Sequence, residues 1–362
     1  MFVSFRNLCI AIILVGITAR TVSIFVLPES AYVDALLNLS AMSKIATEGT
    51  LFLSQSQIDH GILLAPLYPI LNASLFLASF VPIGVGDITA YAKVLPAVLC
   101  ALQMLLAYIL LRGIFPKSHL FGVAFVSVLP WLIRYGAVNY AENLTTVLLL
   151  GFFIVLLRYR SAPCASSRFL MVALIASLAL SRMQALVYVV PFCIVFATAA
   201  IRHGEGMRRA LPFLLISVLL AGLWVTVAYT KMEAMGYGVT TKLSEGFALS
   251  EEKLSRDVLD YLRYAVDSHA ALYDFPPPES FSRIQMLSSL PAEPLLAVFT
   301  LLVLPLTLVM LFGACRIIKA SLVSKTLNEP KLCAILILLA ALGFAFFLET
   351  TDPRPIGFIC VR

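Results

Sequence analysis

Long apolar stretches alternate along the chain with short polar connections, and the connections carry most of the arginines and lysines. Runs near the roughly 20 residues needed to cross a bilayer occupy 7–27, 63–83, 90–111, 120–135, 144–157, 169–181, 185–201, 211–229, 295–314 and 332–348. Each predicts a helix, because in lipid every backbone polar group must be satisfied within its own segment. Arg6 precedes the first run. Arg112 and Lys117, then Arg158, Arg160 and Arg168, then Arg202, Arg208 and Arg209, and finally Arg316, Lys319, Lys325 and Lys331 fill later connections. The positive-inside rule puts all of these on the cytoplasmic side. Counting 63–83 as a full span would throw every later basic connection outside, so that run is expected to be interfacial or re-entrant. Pro66 and Pro69 each lack a backbone donor and are expected to disfavour a regular helix at its start. The prediction is an all-α transmembrane bundle of about nine crossings with the amino terminus in the cytoplasm.

That threading leaves three segments on the outer face: a first loop over 28–91, a short turn around 139–143, and a long loop over 231–293. The chain then divides into a membrane module over 1–230, the outer loop 231–293, and a carboxyl-terminal hairpin with an outer tail over 294–362. Within the first loop, AYVDALLNLSAMSKIAT puts Ala35, Leu39, Met42 and Ala46 on one helical face, with Asp34 and Asn38 four apart on another. Such a pattern fits a helix lying on the membrane surface. The long loop mixes charges with Tyr237, Tyr261, Tyr264 and Tyr273 before breaking at Pro276, Pro277 and Pro278. Short interfacial helices and a rigid turn are expected there.

Composition agrees with this reading and removes others. Hydrophobic residues make up 61% of the 362 and charged ones only 13%, with a mean hydropathy of +0.97. No soluble domain hides that much apolar surface in one core, so lipid must cover it. The net charge of +6 does not point to nucleic acid, since the basic residues lie scattered between apolar runs rather than gathered in a stripe. Seven cysteines without a CxxC give no disulfide framework. The first apolar run is too long for the core of a signal peptide and has no clear small-residue cleavage site, so it is read as a helix that stays.

An enzyme acting at the outer surface on a hydroxyl acceptor needs a carboxylate there, and Asp34 is placed for that role. A purely structural part for Asp34, capping or solubilising its helix, fits its position as well. Glu142 lies on the same side, just before the fourth crossing, where the helix dipole alone favours a negative charge by roughly 0.3–1 kcal/mol. Lys93, Arg134, Arg182 and Arg354 sit in or near the outer ends of the crossings. A cation within a span is costly and usually has a partner. Arg182 and Gln184, in the hairpin SRMQAL, could meet a lipid-linked phosphate, for which a guanidinium has the right fork of donors. Arg20 and Arg134 are expected to snorkel to the headgroups. His60 is a weak candidate for a metal or substrate, and the four histidines have no ligand spacing. Asn38, Asn72 and Asn143 each open an N-x-S/T triplet, but all are close to the membrane or buried by prediction. No P-loop, GxSxG, HExxH or dinucleotide turn occurs.

The order of these features resembles the GT-C membrane glycosyltransferases, particularly the branch of protein mannosyltransferases and lipid A aminoarabinose transferases. The resemblance runs from YVDALLN through HGILLAPLYPIL, AYAKVLPAVLCAL and VLPWLIRYGAVNYAENLTTVLLL to LALSRMQALVYVVP, covering residues 1–200. The last of these looks like that family's hairpin motif with Met183 in place of proline. The resemblance implies a GT-C-like fold and transfer of a sugar from a polyprenyl-phosphate donor to a protein, lipid or glycan acceptor, with inversion. It further implies Asp34 as the base that activates the acceptor and Glu142 as the second acidic residue. Lys93 and Arg182 would hold the donor, with His60 and Tyr68 flanking the loop element that lines the cavity and Arg354 standing for the basic residue of the late outer loop. The second acidic site reads AENL where an Asp is more usual, and Arg362 follows soon after the ninth crossing where many relatives continue. Such an enzyme is expected in the plasma membrane of a prokaryote or the endoplasmic reticulum of a eukaryote. A divalent metal is compatible with the paired carboxylates, though no cofactor is called for. A transporter or flippase of an amphipathic solute is the alternative, weakened by the lack of an internal repeat, and a non-catalytic scaffold is the third reading.

Overall fold

The computed structural model describes residues 5–26, 33–50, 66–78, 91–129, 132–133, 136–181 and 186–202, with isolated helical positions between 211 and 230 and between 305 and 316. Within these residues the chain is all-helical, without strands. The helices are α1 (Phe5–Val26), α2 (Val33–Glu48), α3 (Leu67–Ala78), α4 (Val94–Ile114), α5 (His119–Ser127), α6 (Ala141–Ser161), α7 (Ala165–Ser181) and α8 (Leu186–Arg202). By length and composition α1, α4 and α6 can cross a membrane. The outward faces of two of them agree: α1 leaves Leu14, Val15 and Phe25 exposed and α4 leaves Val98 and Leu105 exposed, a distribution that water would penalise and lipid would not. The chain forms two compact units, Met1–Tyr237 and Gly238–Arg362. In the second, Arg316 lies over the Phe312 ring at 5.8 Å. The expected outer loop 231–293 and the outer tail lie outside the described residues.

Side-chain contacts fix how the first unit is threaded. Phe5 at the start of α1 stacks on Phe121 at the start of α5, so these two helices run in the same direction. Tyr108 near the end of α4 meets His119 edge-to-face, so α4 runs the other way. Gln103 reaches Asn143, and the space beside Gly113 is closed by Leu157, which sets α6 parallel to α4. Thr145 bonds Ser181, so α7 returns antiparallel to α6. This threading brings Arg6, Arg112, Lys117, Arg158, Arg160 and Arg168 to one end of the unit, as the charge pattern requires of a single membrane face.

Three expectations need correction. The prolines do not spoil the start of the 63–83 run: α3 begins immediately after Pro66, with Pro69 in its first turn, where a missing donor breaks no intrahelical bond. The described helix has 12 residues, about 18 Å at 1.5 Å per residue, short of a hydrocarbon thickness of about 30 Å. The run 120–135 is not one helix, because α5 stops at Ser127, ahead of Pro130, whose ring restricts the residue before it. Nor does Arg20 snorkel. It is only 2% exposed, and its Nη2 and Nε donate to the carbonyl oxygens of Val126 at 2.8 Å and Ser127 at 3.2 Å. Its Nη1 approaches Cys100 Sγ at 3.6 Å. A cation at the carboxyl end of a helix satisfies carbonyls that lack partners and meets the negative pole of the dipole. Gly16, one turn before, allows the approach: a Cβ there would lie 2.6 Å from the Ser127 carbonyl oxygen.

Cys164, in the turn between α6 and α7, offers a probe of sidedness. It is exposed, and hydroxyls of Ser166 and Ser167 at 3.2 and 3.1 Å, helped by a backbone bond at Ser167 and by Arg158, lower its thiol from 9.0 to about 7. Because the thiolate is the reactive species, labelling by a charged, membrane-impermeant maleimide should rise as pH passes upward through about 7. In sealed right-side-out vesicles this labelling should appear only after permeabilisation. Labelling of the intact vesicles would put the basic end outside.

Candidate functional site

Opposite the basic end, short polar side chains come together around a non-helical segment. Residues 137–140 connect to α6 without regular structure, so their backbone groups need other partners. Asn38 Nδ2 on α2 donates to the Asn139 carbonyl at 2.8 Å. Asn72 Nδ2 and the Tyr68 hydroxyl on α3 donate to Asn139 Oδ1 at 2.8 and 3.2 Å. Lys93 Nζ, at the amino-terminal edge of α4, donates to the Ala137 carbonyl at 3.3 Å. Asn143 Nδ2 donates back to the Val138 carbonyl at 3.1 Å, and Gln103 Nε2 on α4 donates to the Asn143 carbonyl at 3.1 Å. Asn139 is fully buried. Two acceptors of the cluster, Asn72 Oδ1 and Gln103 Oε1, have no hydrogen-bond partner among the described residues, a cost of about 1–3 kcal/mol apiece unless a water or substrate donor meets them.

Apolar contacts seal the same end. Ala35, one residue after Asp34, packs with Val138 and Tyr140. Met42 packs with Ala73, Phe76 and Ala92, and Tyr68 with Leu95, Leu99 and Leu144. The helix α2 ends where Gly49, at φ 66°, donates to the Ile45 carbonyl at 3.1 Å, a left-handed stop suited to a residue without Cβ. The face of α2 that carries Asn38 therefore turns inward.

The sequence-derived candidates fare differently. Asp34 lies in the first turn of α2, and its side chain is outside the described atoms. Glu142 lies in the first turn of α6, half-buried, and the contacts of Ala35 and Asn38 place these two helix starts at the same end of the unit. Lys93 joins them through Ala137. Tyr68 is fully buried in α3. His60, Arg134, Arg182, Gln184 and Arg354 lie outside the described residues. The three N-x-S/T asparagines are buried, Asn38 at 3%, Asn72 at 1% and Asn143 at 6% exposure, with their amide nitrogens already donating, so none is a glycan acceptor in the folded protein. Asn139 and Gln103 were missed by sequence reasoning. For Gln103 the available signal was an uncharged amide within an otherwise apolar run, which in a membrane helix marks an interhelical hydrogen bond.

Compared with known protein families and with curated proteins, the chain matches no family model and no curated sequence.

Proposed function

We propose that this protein is a membrane glycosyltransferase that moves a sugar from a polyprenyl-phosphate donor to a hydroxyl-bearing acceptor at the extracytoplasmic face. In this reading the chain crosses the bilayer about nine times with its amino terminus in the cytoplasm, following the charge rule, in a GT-C-like arrangement. Asp34 removes the proton from the acceptor hydroxyl as its oxygen bonds to the anomeric carbon. The bond from that carbon to the phosphate oxygen breaks with inversion, and the electron pair leaves on the polyprenyl phosphate. Glu142 orients the acceptor or donor. Lys93 and Arg182 offset the charge that develops on the leaving phosphate, the kind of preorganised stabilisation that lowers such barriers most.

The observation that carries this reading is the meeting of two carboxylate-bearing helix starts at the end opposite Arg6, Arg112, Arg158, Arg160 and Arg168. Asn38 bonds Asn139 at 2.8 Å and Ala35 packs on Tyr140, so the turns bearing Asp34 and Glu142 share one surface with Lys93. A lipid-anchored donor presents its phosphate at that depth, and a site with acids and a cation gathered on one face suits asymmetric chemistry. The test is to incubate purified protein with a panel of radiolabelled polyprenyl-phosphate sugars and hydroxyl acceptors. Label should move from the lipid phase to an acceptor for at least one sugar; no release or transfer with any donor would refute the proposal.

A further inference from the structure

The segment that leads into α6 is held by side chains from α2 and α3, by Lys93 at the edge of α4 and by Asn143 of α6 itself. The carbonyls of Ala137, Val138, Asn139 and Asn143 each accept from a side chain, donated by Lys93, Asn143, Asn38 and Gln103 respectively. Asn139 stands at the centre, since its backbone takes the bond from α2 while its side chain takes two from α3. Irregular backbone within a membrane protein persists only where protein groups satisfy it. The arrangement ties three chain segments, far apart in sequence, to the four residues that precede α6.

The consequence falls on the position of α2. Its described buried residues are Ala35, Asn38, Ala41 and Met42, and two of these are alanines with little surface to bury. A hydrogen bond runs from this helix to the segment before α6, donated by Asn38 to the Asn139 carbonyl. Asn38 follows Asp34 by one helical turn, a rise of about 6 Å, so whatever fixes residue 38 fixes the start of the helix. We propose that Asn38 and Asn139 are positioning residues, a buried amide latch that holds the Asp34 turn of α2 over the Glu142 turn of α6. This inference rests on the transferase reading for its effect on the reaction, while the docking itself can be read without any activity. A reacting group displaced by about 1 Å can cost about 100-fold in rate, which makes a latch of this kind consequential although it touches no substrate.

Two side-chain changes and two readouts test it. Asn38→Leu removes both the donor and the acceptor at similar size, and Asn38→Ser is a milder change whose hydroxyl falls short of Asn139. In each background, Ala35→Cys with Tyr140→Cys reports docking through the rate of oxidative cross-linking, with the 35–140 disulfide identified by mass spectrometry. In the parent the cross-link should form readily. In both Asn38 variants it should slow about tenfold or more, and kcat for sugar transfer should fall about 10- to 100-fold with the donor KM unchanged. Asn38→Gln, which keeps an amide donor, should recover part of both. Cross-linking at the parent rate in a monodisperse Asn38→Ser protein overturns the latch. So does an unchanged kcat in that protein when Asp34→Asn abolishes transfer. Slowed cross-linking in the Asn38 variants of a parent that transfers no sugar at all would instead remove the transferase reading and leave the latch as a docking device only, which overturns its positioning role.

Discussion

Replacing Asp34 with asparagine should lower sugar transfer by about 10²- to 10⁴-fold, the range that a positioned general base contributes, with donor binding little changed. The substitution keeps size and hydrogen-bonding reach but cannot accept the acceptor's proton. Because the base acts only as the transition state forms, kcat should carry the loss and the donor KM should not. Direct binding of a labelled polyprenyl-phosphate sugar, measured beside turnover, separates the two effects. Transfer by Asp34→Asn at the parent rate would remove Asp34 from the reaction, and a parallel loss of donor binding would make it a structural residue of α2. Glu142→Gln gives a useful contrast, since a group that orients a substrate should change KM together with kcat.

Arg20→Met should lower stability by about 3 kcal/mol, which places this change among the most damaging in the described unit. Two charge-assisted hydrogen bonds, at about 1.5–3 kcal/mol each, end on the Val126 and Ser127 carbonyls. The methionine would restore some packing but leave those carbonyls facing an apolar side chain. In detergent the apparent melting temperature should fall by roughly 5–10 °C. Arg20→Lys should fall between, because an ammonium cannot span both acceptors as a planar fork does. A variant as stable as the parent would mean that the carbonyls find other partners. Enlarging Gly16 should act in the same direction, since any side chain there presses on Ser127 and forces the two helices apart.

The long helices were legible because their information is local. The helices α1 and α4 fall close to the apolar runs 7–27 and 90–111, where continuity of apolar residues alone sets the extent. The helix α6 reaches beyond 144–157 at both ends. Asn143 is internal and bonds Val138, and the exposed Arg158 and Arg160 extend from the other end, so polarity did not end the helix as a sliding count implies. The break after Ser127 and the burial of Arg20 are one event read twice. A helix stops before a proline-containing segment, and the carbonyls it frees capture a guanidinium from another helix. Neither half is visible without the other, because the contact joins residues 106 and 107 positions apart.

The candidate site was legible in its charges and hidden in its amides. Asp34, Lys93 and Glu142 could be assigned to one face because topology sorts ionisable groups. Asn72, Gln103 and Asn139 carry no charge, so the charge rule that sorts the spans leaves them unplaced. Their role depends on which helices meet. The glycan triplets show the same point from the other side, since the motif is local and its accessibility is not.

Arg20 also bears on how the chain is made. Its two carbonyl acceptors lie 106 and 107 residues later, and at about 5–20 residues per second the ribosome takes roughly 5–20 s to reach them. During that interval the first helix has emerged with a cation that lipid disfavours and with no acceptor yet synthesised. Its final seat is thus settled late, when the fragment ending at Ser127 leaves the insertion machinery, and a helix translated well before α5 is locked only after it.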